Sequence, residues 1–403
     1  MVAWAVVTAS LALLLAVAAG YLAAHVAFDW LARRYLIVSG AEYLVLGILL
    51  GPQVSGLLSE TVISNLAPVV TLALGWTGMI VGAQLELREL IMRPAREFRI
   101  AFAESSMTFL VVAALEFVAL RSPLSDTSAG ALIAAVATGA MAVASSGVGI
   151  ALVADVVGAS ARVLDQLRMS ARIDVVVAIV IFGLMLCVHH APAPTSRPLT
   201  TTEWAVVCAA LGVVGGTLFH IFLGDTPDRD RLFVALVGGI VTVTGAAAYL
   251  RLSPLLAALF FGVVLVNTTA RPAALLETLT RVERPFYFVL LIFGGATWVP
   301  SHRSLIAPVL LFLLARAASK IGGSRLAARM NGALGELGEH WGRGLLGQGR
   351  IAIAIGLSYV YQEDLPYQNL VFTIAIASML VTEFLSARIA RAAVTAHLDH
   401  GEA

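Results

Sequence analysis

Long apolar runs, each closed by a short stretch rich in Gly, Pro or charge, recur along all 403 residues. A run of about 18 apolar residues is long enough as helix to cross roughly 30 Å of hydrocarbon, and the connecting stretches leave little chain for anything else. The punctuation places spans near 3–26, 34–51, 63–85, 97–120, 129–154, 163–188, 203–223, 230–249, 252–267, 283–299, 304–323, 342–361 and 367–389. The pattern predicts an all-α integral membrane protein of about thirteen transmembrane helices, because in lipid only helices and closed barrels satisfy their own backbone polar groups. The run from Val2 to Val26 has no basic leader and no small-residue cleavage site after it, so it reads as a retained first span.

Composition sharpens this picture. Hydrophobic residues make up 59% of the chain and charged ones 13%, against about 25% charged in a soluble domain. Mean hydropathy is +0.91. The net charge of +1 says nothing about partners, and nucleic acid is not expected. Two cysteines, Cys187 and Cys208, make neither a disulfide framework nor a metal cluster. No phosphate-cradling loop, zinc spacing or nucleophile with its base is present, which argues against a soluble-type enzyme and a bound cofactor. Charge is distributed unevenly between the loops. One side collects eighteen arginines, whereas the side of the N-terminus keeps only Arg121, Arg197, Arg251 and Arg303. Positive residues stay inside, so the N-terminus is expected outside and the C-terminus in the cytoplasm, in the cell (inner) membrane.

Two internal echoes suggest duplication. Segments 43–52 and 252–267 share Gly/Pro punctuation, and the interrupted stretches beginning near Thr138 and Gly347 echo each other, both pairs offset by about 209 positions. Six spans, a linker span and six more would set the second unit upside down, an inverted repeat. Span 5 contains Thr138, Gly139, Ser145, Ser146, Gly147 and Gly149, and span 12 contains Gly342, Gly344, Gly347, Gln348, Gly349 and Gly356. Such residues weaken a helix where lipid offers no replacement hydrogen bonds. They fit either close helix packing or a pair of broken helices whose ends, with Ser145, Ser146 and Gln348, face a midplane site.

Ionisable groups at membrane depth each call for a reason. Asp174 opens the apolar run to Val188 and is either a helix-end charge or the buried carboxylate of span 6. Arg316 and Lys320, the only lysine in the chain, stand one turn apart on one face of span 11. Arg350 is equally unexpected in span 12, and Glu42, Glu86, Glu104, Glu116 and Glu383 are further membrane-region acids.

Several motifs together resemble the monovalent cation:proton antiporter superfamily, which includes sodium/proton and potassium-efflux antiporters. The most specific is Tyr43-Leu44-Val45-Leu46-Gly47-Ile48-Leu49-Leu50-Gly51-Pro52, similar to that family's Gly-Pro-terminated second span. In family order follow Gly82-Ala83-Gln84-Leu85-Glu86-Leu87, Ala144-Ser145-Ser146-Gly147-Val148-Gly149-Ile150, and Leu252-Ser253-Pro254-Leu255 with Gly262 and Asn267. Ser319-Lys320-Ile321-Gly322-Gly323 and Gln348-Gly349-Arg350-Ile351-Ala352 complete the series. The resemblance covers nearly the whole chain. It implies a homodimer with a dimerisation part near 1–90 and 229–300, a mobile core near 96–190 and 303–392, and a linker helix near 203–223. It places the ion-binding aspartate at Asp174 and the span 11 base at Lys320, or at Arg316 by a shift of one turn. Where many relatives carry a second polar residue beside that aspartate, this chain reads Ile173-Asp174-Val175; it also has Arg350 where many carry Gly or Glu.

These readings imply a secondary antiporter in which Asp174 binds either a proton or a dehydrated Na⁺ or K⁺, with Ser145, Ser146 and Gln348 as further ligands. Lys320, Arg316 and Arg350 serve as compensating charges, Arg316 and Arg350 toward the dipole ends of the broken helices. A lone carboxylate permits one proton per cation, an electroneutral exchange, unless another acid joins the site. Two other functions remain open: a carrier of an anionic solute bound by Arg316, Lys320 and Arg350, and a non-transporting sensor or subunit on the same scaffold. No nucleotide-binding tail follows span 13, so any regulation is expected from a separate subunit.

Overall fold

The computed structural model describes residues 41–121, 128–146, 161–190, 199–223, 229–299, 306–362 and 364–382. Expected span 3–26, the part of span 5 from Gly147 onward, and Glu383 lie outside them. The described residues are helical and contain no strand. The first half runs α1 Ala41–Leu50, α2 Glu60–Asn65, α3 Ala67–Ala83, α4 Leu87–Met92, α5 Ala95–Arg121, α6 Ser128–Val143 and α7 Ala161–Val188. Then come α8 Thr201–Leu223, α9 Arg229–Tyr249, α10 Pro254–Thr268, α11 Pro272–Arg281, α12 Glu283–Thr297, α13 Ile306–Met330 and α14 Leu334–Leu337. A 3₁₀ turn, Trp341–Leu345, precedes α15, Arg350–Val360, and α16, Gln368–Thr382. Among the described residues five helices are long and apolar enough to cross a membrane: Ala95–Arg121, Arg162–Val188, Thr201–Phe222, Asp230–Tyr249 and Ile306–Met330.

Local sequence sets most boundaries. Ser253 accepts a hydrogen bond from the Leu256 amide at 3.2 Å, and Pro254 fills the first helical position of α10, where its missing N–H costs nothing. The expected end of span 11 at Gly323 is overrun, and α13 continues to Met330. Gly323 lies against Met107 of α5, and the Trp341 indole donates to the Ser324 carbonyl at 3.1 Å, so the extra turns are packed and bonded.

The helices sort by packing into two sets. In one, α3 packs along α10, α1 along α12, and α8 and α9 against α10. The α3–α10 seam is closed by glycines: a Cβ on Gly78 or Gly82 would strike the carbonyl of Leu255 or Leu259, and one on Gly262 would strike that of Met79. Small residues let helix backbones approach closely where lipid supplies no hydrophobic drive. Asn267 fastens the seam's end, accepting from the Leu87 amide at 2.8 Å and donating to the Leu85 carbonyl at 3.1 Å. In the second set α5 packs against α6, α7 and α13, with the 3₁₀ turn against α13. Helix α5 is polar inward and apolar outward: Glu104, Ser105, Thr108 and Glu116 are buried, whereas Phe102, Leu110 and Val118 are exposed. That arrangement suits a helix whose outer solvent is lipid.

Candidate functional site at the crossing of two interrupted segments

Helix α6 stops at Val143, and Ala144–Ser146 runs on without helical bonding. Opposite it, the 3₁₀ turn ends at Leu345 and the chain stays open through Gly349 before α15 begins. The two breaks touch: the Ser146 amide donates to the Gly347 carbonyl at 2.8 Å, and Gln348 Nε2 donates to the Met141 carbonyl at 2.9 Å. Of the two sequence-level alternatives, interruption holds for span 12 and for the described part of span 5.

A helix end leaves carbonyls without partners, and in a dry interior each one is costly. Arg316 meets that need. Its Nε donates to the Ala142 carbonyl at 3.1 Å, Nη2 to that of Ala144 at 3.1 Å and Nη1 to that of Leu346 at 2.7 Å. The side chain thus joins the carbonyl ends of both segments, where a cation also meets the negative ends of their dipoles. The rigid planar fork of a guanidinium suits several fixed acceptors better than an ammonium would.

One turn further along α13, Lys320 does something different. Asp174 lies well inside α7, fully buried, and Lys320 Nζ is 2.7 Å from its Oδ2. Ser145 Oγ donates to the same oxygen at 2.6 Å, and Ser105 Oγ donates to Oδ1 at 2.6 Å. Lys320 Nζ is also 3.0 Å from Oε1 of Glu104, which accepts from Thr108 Oγ1 at 2.9 Å. Asp174, Glu104 and Lys320 are all fully buried. Two carboxylates therefore share one ammonium, and Glu104 Oε2 accepts no hydrogen bond from the described residues. Short charge-assisted bonds of this kind are roughly twice as strong as neutral ones, but two acids beside one base leave a surplus negative charge for a cation or a proton to fill.

The sequence-named residues divide accordingly. Asp174, Ser145 and Lys320 come together, and of the two registers for the span 11 base the lysine meets the carboxylate. Gln348 clasps the crossing rather than the carboxylate. Ser146 lines an adjoining cavity of about 540 Å³, together with Ser145, Arg172, Arg284, Glu283 and Arg350. Arg350 departs from its expected role. It is the first residue of α15, hence at the positive end of that dipole, and it pairs with Glu283 of α12. Ser105 and Thr108 were not singled out from sequence, and Glu104 stood as one acid among five. Their signal is the cluster Glu104-Ser105-Ser106-Met107-Thr108 inside an otherwise apolar run. The missing neighbour of Asp174 is thus supplied from α5, not from its own helix.

The cavity opens toward the helix ends that carry Arg168, Arg172 and Arg284. At that face Glu89 of α4 reaches Arg93 at 3.1 Å and Arg172 at 3.3 Å. Burial alone would raise the Glu89 carboxyl, but hydrogen bonds and charge from the two arginines outweigh it and hold it below its usual range.

Comparison with protein-family models gives no match, and comparison with curated sequences gives none. Among solved structures, the chain is similar to the sodium proton antiporter MjNhaP1 from Methanocaldococcus jannaschii at pH 8, with a TM-score of 0.64 and 16% identity over 97% of this chain and 98% of that one. An electron-microscopy structure of the same antiporter matches with a TM-score of 0.58 and 14% identity, over 93% and 95% of the two chains. At such identity the likeness speaks to architecture. What it shows is the fold: this chain folds as the sodium proton antiporter MjNhaP1 does.

Proposed function

We propose that the protein is a secondary antiporter that exchanges Na⁺ or K⁺ for protons at Asp174. The observation that carries this reading is a fully buried aspartate, at the crossing of two interrupted segments, held 2.7 Å from the only lysine of the chain. A cation entering from the cavity finds carboxylate and hydroxyl oxygens, the hard ligands it prefers. To bind Asp174 it displaces the Lys320 ammonium, which then loses a proton. Glu104 adds a second exchangeable proton. With Glu104 protonated and Lys320 charged beside ionised Asp174, the triad is neutral. With the cation bound, both acids ionised and Lys320 neutral, the triad carries minus two, or minus one with the cargo. Two protons leave as one cation enters, so each cycle moves net charge. Glu104, 3.0 Å from Lys320, is the further acid on which this stoichiometry rests, in place of the one-for-one exchange expected of a lone carboxylate.

Transport follows if the set containing α5, α6, α7 and α13 moves against the set built on the α3–α10 seam, closing the cavity and opening the opposite side. A homodimer held by the seam set, an outside N-terminus, and placement in the cell membrane with the arginine-rich face in the cytoplasm belong to the same proposal. An anionic solute is disfavoured, because Arg316 is taken up by carbonyls, Lys320 by carboxylates and Arg350 by Glu283. The test is proton flux in proteoliposomes evoked by Na⁺, K⁺ or Li⁺. Wild type responds to at least one cation. Asp174→Asn, a neutral amide that neither releases a proton nor offers an anionic ligand, folds and gives none. Flux at the wild-type rate from folded Asp174→Asn would remove the residue from the mechanism.

A further inference from the structure

Glu116 on α5 is fully buried, and among the described residues neither of its carboxylate oxygens has a hydrogen-bond partner. It lies twelve residues beyond Glu104, about 18 Å along the helix axis, toward the end opposite the cavity mouth. The buried positions Glu104, Thr108, Val112, Glu116 and Leu120 recur every fourth residue, a stripe that winds by about 40° per step and stays within the packed interior. Around it α6, Ser128–Val143, carries no titratable residue. Helix α7 beyond Asp174 offers only Cys187, and α13 offers Arg316 and Lys320, both engaged at the crossing, with Arg325 and Arg329 further toward the other end. On α5 itself the next charged residue is Arg121, five positions further on, and among the described residues no hydrogen bond reaches Glu116.

An ionised carboxylate so placed would be costly, and a leucine would pack there at less expense. A cation would need several oxygen ligands in place of its hydration shell, and among the described residues no second acid groups with Glu116 to supply them. What remains is a proton. We propose that Glu116 is a proton relay in the closed half of the moving set, a residue of the exchange cycle distinct from the cation site. It holds a proton on its carboxyl while the cavity is open at the arginine-rich face. When the opposite side opens, the proton passes to water there and the carboxylate is refilled, either from that water or from the Glu104–Asp174–Lys320 triad. This rests on the antiport reading, and its test uses preparations in which wild-type exchange has first been measured.

Glu116→Gln keeps size and loses the proton site; Glu116→Leu also removes the polar group. Both variants are expected to unfold at the wild-type temperature or above it, because a buried unpartnered acid is removed. The relay predicts that, in alkaline medium where protons are scarce, exchange by either variant falls by about ten-fold or more. Half-saturation by the cation stays within about two-fold of wild type, because Asp174 is untouched. Infrared spectroscopy then supplies an independent readout: a protonated-carboxyl band present in wild type, lost in Glu116→Gln, and titrating within the working pH range. Three results would overturn the relay: a pH profile superimposable on wild type, a lowered unfolding temperature in both variants, or a Glu116 band that never titrates. Loss of wild-type exchange itself would instead strike at the antiport reading.

Discussion

The α3–α10 seam and the crossing at Asp174 are both places where backbones meet inside an apolar medium, and they are built in opposite ways. At the seam the helices stay whole, so backbone groups bond within each helix and glycines bring the two surfaces into contact. At the crossing the helices are broken, and the freed carbonyls are met by side chains, above all by Arg316. The seam has one way to fit. The crossing is held by polar side chains, and among the described residues Glu104 Oε2 and Gln348 Oε1 have no hydrogen-bond donor. A rigid seam and a chemically adaptable crossing are what an exchanger needs if one set of helices carries cargo past another.

The largest effect expected from this contrast lies at the seam. Gly82→Leu would drive a side chain into the Leu259 carbonyl on a backbone that cannot retreat, destabilising by more than about 3 kcal/mol. Thermal unfolding of the purified protein should show loss of a folded population; a normal transition would mean the seam is pliable. The smallest effect belongs to the ion pairs at the arginine-rich end. Glu336 reaches Arg96 at 3.0 Å and Arg162 at 3.1 Å. The Arg96 hydrogen bond, then the charges of Arg96 and Arg162, hold its carboxyl below the usual value. A depressed carboxylate contributes stability above its unfolded value and loses it as pH falls through the folded one. The unfolding temperature of wild type should therefore drop slightly more than that of Glu336→Gln under acidic conditions, with high salt shrinking the difference. Equal acid sensitivity would show that this pair adds nothing.

The sequence reader could see the crossing better than its contents. Ser145, Ser146 and Gly147 mark the first interruption and the glycines from Gly342 to Gly349 the second, because such residues weaken a helix at membrane depth, and hydropathy locates the helices on either side. Lys320 stood out as the only lysine, and helical spacing put it beside Arg316. What spacing does not encode is that α5 lies against both α7 and α13, which turns Glu104 from one acid among five into a partner of Asp174. Arg350 misled for a related reason. A cation near a broken helix suggests dipole compensation, but the sign depends on which end it occupies, and the break falls just before residue 350.

The central claim is that two acids share one lysine and exchange two protons for one cation. A membrane potential imposed across proteoliposomes, with proton flux followed at fixed cation gradients, tests it directly. For wild type the account predicts flux that varies systematically with potential and a reversal point at two protons per cation, and for Glu104→Gln, active exchange that no longer senses the potential. A wild-type reversal point at one proton per cation, insensitive to potential, would contradict the shared-lysine mechanism.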